Sequence, residues 1–384
     1  MPKLPSLTDI VNSVKESEYI QPTLTTKGRQ AVRDDWNAFK VARGGGKGLT
    51  MISGIDPSDA AFNAKIAKNA KHPDPRVAAV HEMGMSLAHA TTSGIFDSCA
   101  GCKTAECEKL CNAESGHAGI GPATDNVVLR AQKIRSAYWG ENPQNAGALA
   151  IMQSRTGARN ARAEGLVPVM RGNMWSDVPW HQTNMAGPWV HDLTISGKAD
   201  PEAIGAAKSS PMLTHSNYTK RTMNRELRPG EKEFDADNPS NYYETGSISE
   251  QTPTRRVAQR LEAGKTAQAP VWATPSQVKP DSWVMQDTHM SRQQFPSYDA
   301  DSYDARYLDT SLGNAGKVGL LRFKRTPAFK ATGYKAGPSS FIRPLNPDAP
   351  VGSPEGIPKE FAQNAPASVS ITPRRAKARK QLKK

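Results

Sequence analysis

No stretch of the sequence stays apolar for the roughly 18–20 residues that cross a bilayer, which excludes a membrane-spanning helix. The first residues, MPKLPSLTDIVNSVKESEY, have no apolar centre followed by a cleavage site, so no secretory signal is expected. The expected setting is the cytoplasm. Signatures of hydrolysis are missing too. No serine stands in a Gly-x-Ser-x-Gly elbow and no His-x-His pair suggests a nickase. His81-Glu82 has Met85 where a zinc protease needs its second histidine. The run Arg43-Gly-Gly-Gly-Lys47 continues into Gly48, not the Ser or Thr of a phosphate-binding loop, and reads as a flexible turn.

Acid is short relative to base. Among 384 residues, 50 Lys and Arg face 37 Asp and Glu, for a net charge of +13. Much of the excess sits at the C-terminus, in Arg374, Arg375, Lys377, Arg379, Lys380, Lys383 and Lys384, with no acid among them. Such a block reads as a solvated tail that attracts polyanions without reading sequence, so nucleic acid is an expected partner. A basic tail that only aids solubility is the plainer alternative.

Cysteine is missing from the whole chain except one loop, where it recurs as Cys99-x2-Cys102-x4-Cys107-x3-Cys111. Disulfides there would only cross-link a single loop. Four thiolates converging from one short segment suit a soft or redox-active metal. Cys107 and Cys111 share a face if that segment is helical. A zinc ribbon would show two knuckles about 12–20 residues apart, and only Cys99-x2-Cys102 is one. The compact spacing therefore favours an iron–sulfur cluster over Zn2+.

Elsewhere apolar periodicity predicts alternating elements. Helices are expected at 9–17, 29–42, 127–139, 142–163, 201–208 and 252–264, and strands at 88–96, 166–171, 212–218, 241–248, 269–273 and 317–323. That alternation implies an α/β fold, a full or partial TIM-like (β/α) barrel with the cysteine loop at the C-terminal mouth of its strands. Residues 1–87 read as a partly helical N-terminal extension, 88–330 as the barrel-like domain, and 331–384 as a proline-rich arm with the basic tail.

Polar residues gather after the expected strands. Gly172-Asn173-Met174-Trp175-Ser176-Asp177 follows one, Lys220-Arg221 a second and Ser249-Glu250 a third. Asp299-x-Asp301-x-x-Asp304-x-Arg306 stands before the last strand and fails the calcium-loop pattern. In a parallel sheet these sets would face the cysteine loop. Asn173, Ser176, Trp180, Lys220, Arg221, Ser249, Glu250, Asp301, Asp304 and Arg306 are thus expected to bind substrate, the cations favouring an anionic one. Asp177 is the expected general acid or base, since a carboxylate between Trp175 and Trp180 loses hydration. Packing for the tryptophans and an ordinary turn role for Asp177 stand beside that reading.

The blocks SCAGCKTAECEKLC (98–111), RGNMWSDVPW (171–180), THSNYTKR (214–221), NYYETGSISE (241–250) and DADSYDARYLDTSLGNAGKVGLLRFK (299–324) carry a resemblance. Together they resemble a family of uncharacterised bacteriophage and bacterial proteins with a compact cysteine cluster, akin to diverged radical-SAM-like barrels. The resemblance implies a barrel-like fold over about residues 90–330, the cysteines at its mouth and a viral origin. It makes S-adenosylmethionine a cofactor to weigh. The spacing departs from the Cys-x3-Cys-x2-Cys of such enzymes, and a fourth cysteine would close the iron site that the cofactor needs. The expected function is that of a phage-encoded metal-cluster enzyme, of unassigned reaction, acting on a nucleotide or nucleic acid in DNA metabolism or replication. A zinc-stabilised nucleic-acid-binding protein and a virion or scaffold component are the alternatives.

Overall fold

A computed structural model describes residues 4–57, 69, 71–99, 127–174, 176–190, 213–238, 241–274, 276–323 and 334–362. Cys102, Cys107, Cys111, Trp175, the expected helix at 201–208 and the basic tail lie outside the described residues.

The chain begins with α1 (Leu7–Asn12), α2 (Glu16–Leu24) and α3 (Thr26–Ala42). Ser6 starts α1 with a reciprocal cap: its hydroxyl accepts from Asp9 N at 3.0 Å while Asp9 Oδ2 accepts from Ser6 N at 3.2 Å. On α3, Val32, Trp36 and Phe39 recur at helical spacing and are buried, with Tyr138 edge-on to both rings. Two longer helices, α5 (Val127–Glu141) and α6 (Pro143–Ala163), follow the short α4 (Pro75–Ala78). Proline opens α6, and Gly165 (φ 73°) stops the chain just past its end, as expected of that pair of residues. The last described α-helix is α7 (Thr254–Glu262).

Nine strands among the described residues form one sheet: β1 (Ile52–Ser53), β2 (Val80–Met85), β3 (Val167–Arg171), β4 (Thr214–Thr219), β5 (Tyr242–Ser247), β6 (Ala267–Val271), β7 (Ser282–Gln286), β8 (Arg292–Asp299) and β9 (Val318–Arg322). Their order is β1-β2-β3-β4-β5-β6-β9-β8-β7. Pairing is parallel from β2 to β6, on to β9 and then β8, with β1 and β7 antiparallel at the two edges. From β2 to β6 consecutive parallel strands lie side by side, as in a barrel wall, after which the order reverses through β9, β8 and β7, and the described strands form an open sheet. Right-handed crossovers stepping in one direction put their helices on one face. Accordingly Met83, Met85 and Met170 share one core with Leu149 and Ile151 of α6, and Ala267, Ala269, Val318 and Leu320 share another with Val257 and Leu261 of α7.

The opposite face is polar. Glu82 and Arg171 pair across it at 2.6 Å, and the Arg171 guanidinium lies 5.3 Å from the Tyr218 ring. Segment 300–314 covers this face: Arg306 reaches the Tyr298 hydroxyl at 3.2 Å and Asp309 at 3.3 Å. Asp309 also accepts from the hydroxyls of Tyr298 (2.7 Å) and Tyr303 (2.6 Å). Val80 and Val169 extend the contact as an apolar patch against Tyr303 and Ala305.

Two expectations are corrected. Residues 88–96 form turns, and the strand that leads toward the cysteine loop is β2, at Val80–Met85. All six of its residues are buried, so neither alternation nor an unbroken apolar run marked it. Its polar members find partners inside the fold, His81 Nε2 meeting Gly54 O at 2.7 Å and Glu82 meeting Arg171. The proline-rich arm, read as extended, is packed over 334–362. Phe341, Ile342, Ile357 and Phe361 join Trp272 and Phe323 in a separate apolar cluster, and Arg343 N donates to Pro270 O at 3.1 Å.

Candidate functional site

Beyond β2 the backbone is tied down up to the first cysteine. Ser98 Oγ donates to Ala88 O at 2.9 Å and Ser98 N to Ala90 O at 3.1 Å. Asp97 N donates to Pro5 O at 2.9 Å, and Asp97 Oδ1 accepts from Cys99 N at 2.9 Å. Asp177 N donates to Ser98 O at 3.0 Å, which joins the start of the cysteine loop to the loop after β3. Cys99 is half-buried there. Loss of hydration pushes its thiol up to about 12, with Asp177 adding to the shift and Lys220 opposing it.

The loop after β3 is held by one side chain. Asn173 Oδ1 accepts from Ser176 Oγ (3.0 Å), Val178 N (3.1 Å) and Trp180 Nε1 (2.9 Å), and its Nδ2 donates to Val178 O at 2.8 Å. Asn217 of β4 accepts from Asn173 N at 2.9 Å. These bonds place Asn173, Ser176 and Trp180 inside the loop they were expected to present to a substrate, and Trp180 is fully buried against Trp139 and Trp189.

Asp177 sits across the end of β4. Its Oδ2 accepts from Lys220 N at 3.0 Å and Arg221 N at 3.3 Å, while Oδ1 takes Arg221 Nε at 3.3 Å. The far side of the same guanidinium meets Glu244 of β5 at 3.2 Å. Burial, with Asp177 adding to it and Arg221 opposing, raises the Glu244 carboxyl above its usual range. Two carboxylates therefore flank one arginine, and Lys220 lies half-buried beside them with its ammonium 5.5 Å from the Phe341 ring. The folded arm thus borders the strand ends. Glu244 escaped the sequence reading because it lies mid-strand; its alternation with buried Tyr242 was the available signal.

The other expected residues are placed apart from this group. Ser249 N donates to Thr252 Oγ1 (2.9 Å), and Ser249 O accepts from the buried Arg343 at 2.9 Å. Glu250 follows it, half-buried. Asp301 pairs with Lys279 and accepts from Arg322 N at 3.0 Å, beyond the end of β9. Asp304 O accepts from Arg171 at 3.4 Å, and Arg306 belongs to the network beneath the polar face. The structure thus unites Cys99, Asp177, Lys220 and Arg221, with Asn173, Ser176 and Trp180 in the adjoining loop.

Among the described residues no group of three or more His, Cys, Asp or Glu could hold a metal ion; three of the four cysteines lie outside them. No described helix is long and apolar enough to cross a membrane. No curated protein and no solved structure matches the chain. One family model does, that described as Gene product 88, over residues 60–336, which takes in β2 to β9, the cysteine loop and the strand ends. The chain belongs to the Gene product 88 family.

Proposed function

We propose that this is a phage-encoded metal-cluster protein that acts on a nucleotide or nucleic acid in phage DNA metabolism or replication. The observation that carries the reading is the fixed position of Cys99. The first of four closely spaced thiols is held by backbone hydrogen bonds at the carboxyl ends of parallel strands, where ligands of such sheets bind. The donor set fits a cluster: Cys99, Cys102, Cys107 and Cys111 would hold it, in a spacing that favours iron–sulfur over zinc. Bound there, it would supply electron transfer or a Lewis acid. Lys220 brings positive charge to the same strand ends, and Asp177, whose backbone N donates to Ser98 O at 3.0 Å, would serve as acid or base there.

Anaerobic purification, a visible absorption spectrum and iron, sulfide and zinc analysis test this. Brown protein with iron and sulfide, lost in Cys99→Ala, is the expected result. Colourless protein with one tightly held zinc would replace it by a second reading, a zinc-stabilised nucleic-acid-binding protein, which the basic C-terminus favours. Deleting residues 374–384 would then weaken binding to DNA or RNA and flatten its salt dependence. Protein without any metal overturns both readings.

A further inference from the structure

Edge strands of open sheets are ordinarily blunted by short length, charge, proline or a covering segment, because their unpaired N–H and C=O groups invite another chain. The two edges of this sheet differ in that respect. β1 has two residues, and its backbone is taken up locally: Gln153 Oε1 accepts from Ile52 N at 2.9 Å, and Thr50 Oγ1 donates to Ile52 O. β7 has five residues, SWVMQ, with neither charge nor proline among them. Ser297 N donates to Asp281 O at 2.8 Å and Asp287 N to Ser291 O at 3.0 Å, which fixes the alternation of the β7–β8 ladder. Trp283 and Met285 thus turn their backbone groups toward β8. Ser282, Val284 and Gln286 turn theirs to the open edge, where no described strand meets them. The side chains of Trp283 and Met285 share a core cluster with Phe295 and hold the hairpin to the body. Val284 lies on the other face of the hairpin, half-buried opposite the exposed Gln294.

This edge is complementary to itself. Its outward residues are spaced evenly about Val284, so an antiparallel copy meets them in register, Val284 opposite Val284 and Ser282 opposite Gln286. Charge favours the same arrangement. The exposed Asp281 precedes the strand, and exposed His289 and Arg292 stand at its other end, Arg292 also meeting Asp348 at 2.7 Å. Antiparallel pairing sets each acid near the other copy's cations, whereas parallel pairing aligns like with like. Val278 and Met290, 89% and 70% exposed, lie at equal distances along the chain on either side of Val284. The same axis therefore brings an apolar side chain from each copy to either flank of the strand pair. We propose that β7 pairs with β7 of a second copy of this chain, antiparallel about a two-fold axis at Val284, so that two sheets run on as one. No part of this rests on the metal.

Sedimentation velocity of the full chain tests it, with a reductant present so that no cysteine cross-link contributes. A reversible dimer is expected to form over about 1–100 µM, as suits an interface at the small end of specific ones. Val284→Pro removes the outward N–H at the axis, a group that makes no bond to β8, and is expected to weaken dimerisation about tenfold or more. Val284→Lys sets two ammonium groups face to face and is expected to do the same, which keeps the test open should the proline variant not fold. Leu24→Lys, at an exposed apolar position of α2, is expected to leave the dimer unchanged. Monomer at every concentration, or a dimer indifferent to substitution at Val284, overturns the proposal.

Discussion

On the helix side of the sheet, Met83, Met85 and Met170 meet Leu149, Ile151 and Trp180; on the other side, Glu82, Arg171 and Tyr298 meet Arg306, Tyr303 and Asp309. Both faces are buried, but the forces differ. Apolar contacts are non-directional, and their worth follows the area removed from water. A buried polar network is favourable only while every member keeps its partner, because each ion has given up its hydration. Asp309 shows the balance. Burial raises its carboxyl above the usual range, and Arg306 together with the hydroxyls of Tyr303, Tyr298 and Thr266 works against that shift. The first face should therefore yield gradually to substitution, and the second abruptly.

The widest contrast is expected from Arg306→Met against Met170→Leu. The first leaves Asp309 buried without its cation and should cost about 3–5 kcal/mol. The second conserves volume in the apolar core and should cost less than about 1.5 kcal/mol. Urea unfolding of both variants measures the difference, and equal costs would break the contrast between the faces.

A smaller effect is expected where α6 lies closest to the sheet. A Cβ added to Gly157 would stand 2.2 Å from Met83 Sδ and 3.2 Å from Ile55 Cα. The methionine can turn aside and the backbone cannot. Gly157→Ala should thus lose about 1–3 kcal/mol to crowding, offset by about 1 kcal/mol of helix propensity. Adding Met83→Ala should recover part of the loss; strict additivity of the two substitutions would show that the crowding lies elsewhere.

The same contrast explains what could be read from the sequence. Elements on the helix side announced themselves: α6 was expected at 142–163 and runs Pro143–Ala163, and β3, β4 and β9 fall within two residues of expectation. Apolar periodicity is the readable signal, and these elements bury apolar residues. β2 and β8 were missed for different reasons: VHEMGM buries all six residues, His81 and Glu82 included, and so shows no alternation, whereas RQQFPSYD leaves Arg292, Gln293 and Gln294 exposed and buries only Phe295 and Ser297. At the strand ends, the junction of Cys99, Asp177, Lys220 and Arg221 followed from parallel topology alone.

Asp287 sharpens the comparison with a buried charge satisfied by N–H and O–H groups. Its Oδ2 accepts from Thr254 N (3.1 Å) and Oγ1 (3.2 Å), and Oδ1 from His289 N (2.9 Å) and Ser291 N (3.0 Å). It thereby joins the start of α7 to the turn between β7 and β8. Burial works against the charged form, but these donors outweigh it and hold the carboxyl below its ordinary value. The unfolded chain then binds the proton more tightly than the folded one. Its stabilisation is present above the unfolded carboxyl's pKa and is lost as pH falls through the lowered folded value. Asp287→Asn should cost about 1 kcal/mol at neutral pH, the usual worth of a cap. In acid the gap between variant and parent should narrow, because the parent's carboxyl is then neutral too. Urea midpoints measured at neutral and strongly acid pH check this, and a gap that stays constant would show that the carboxylate charge contributes nothing at this junction.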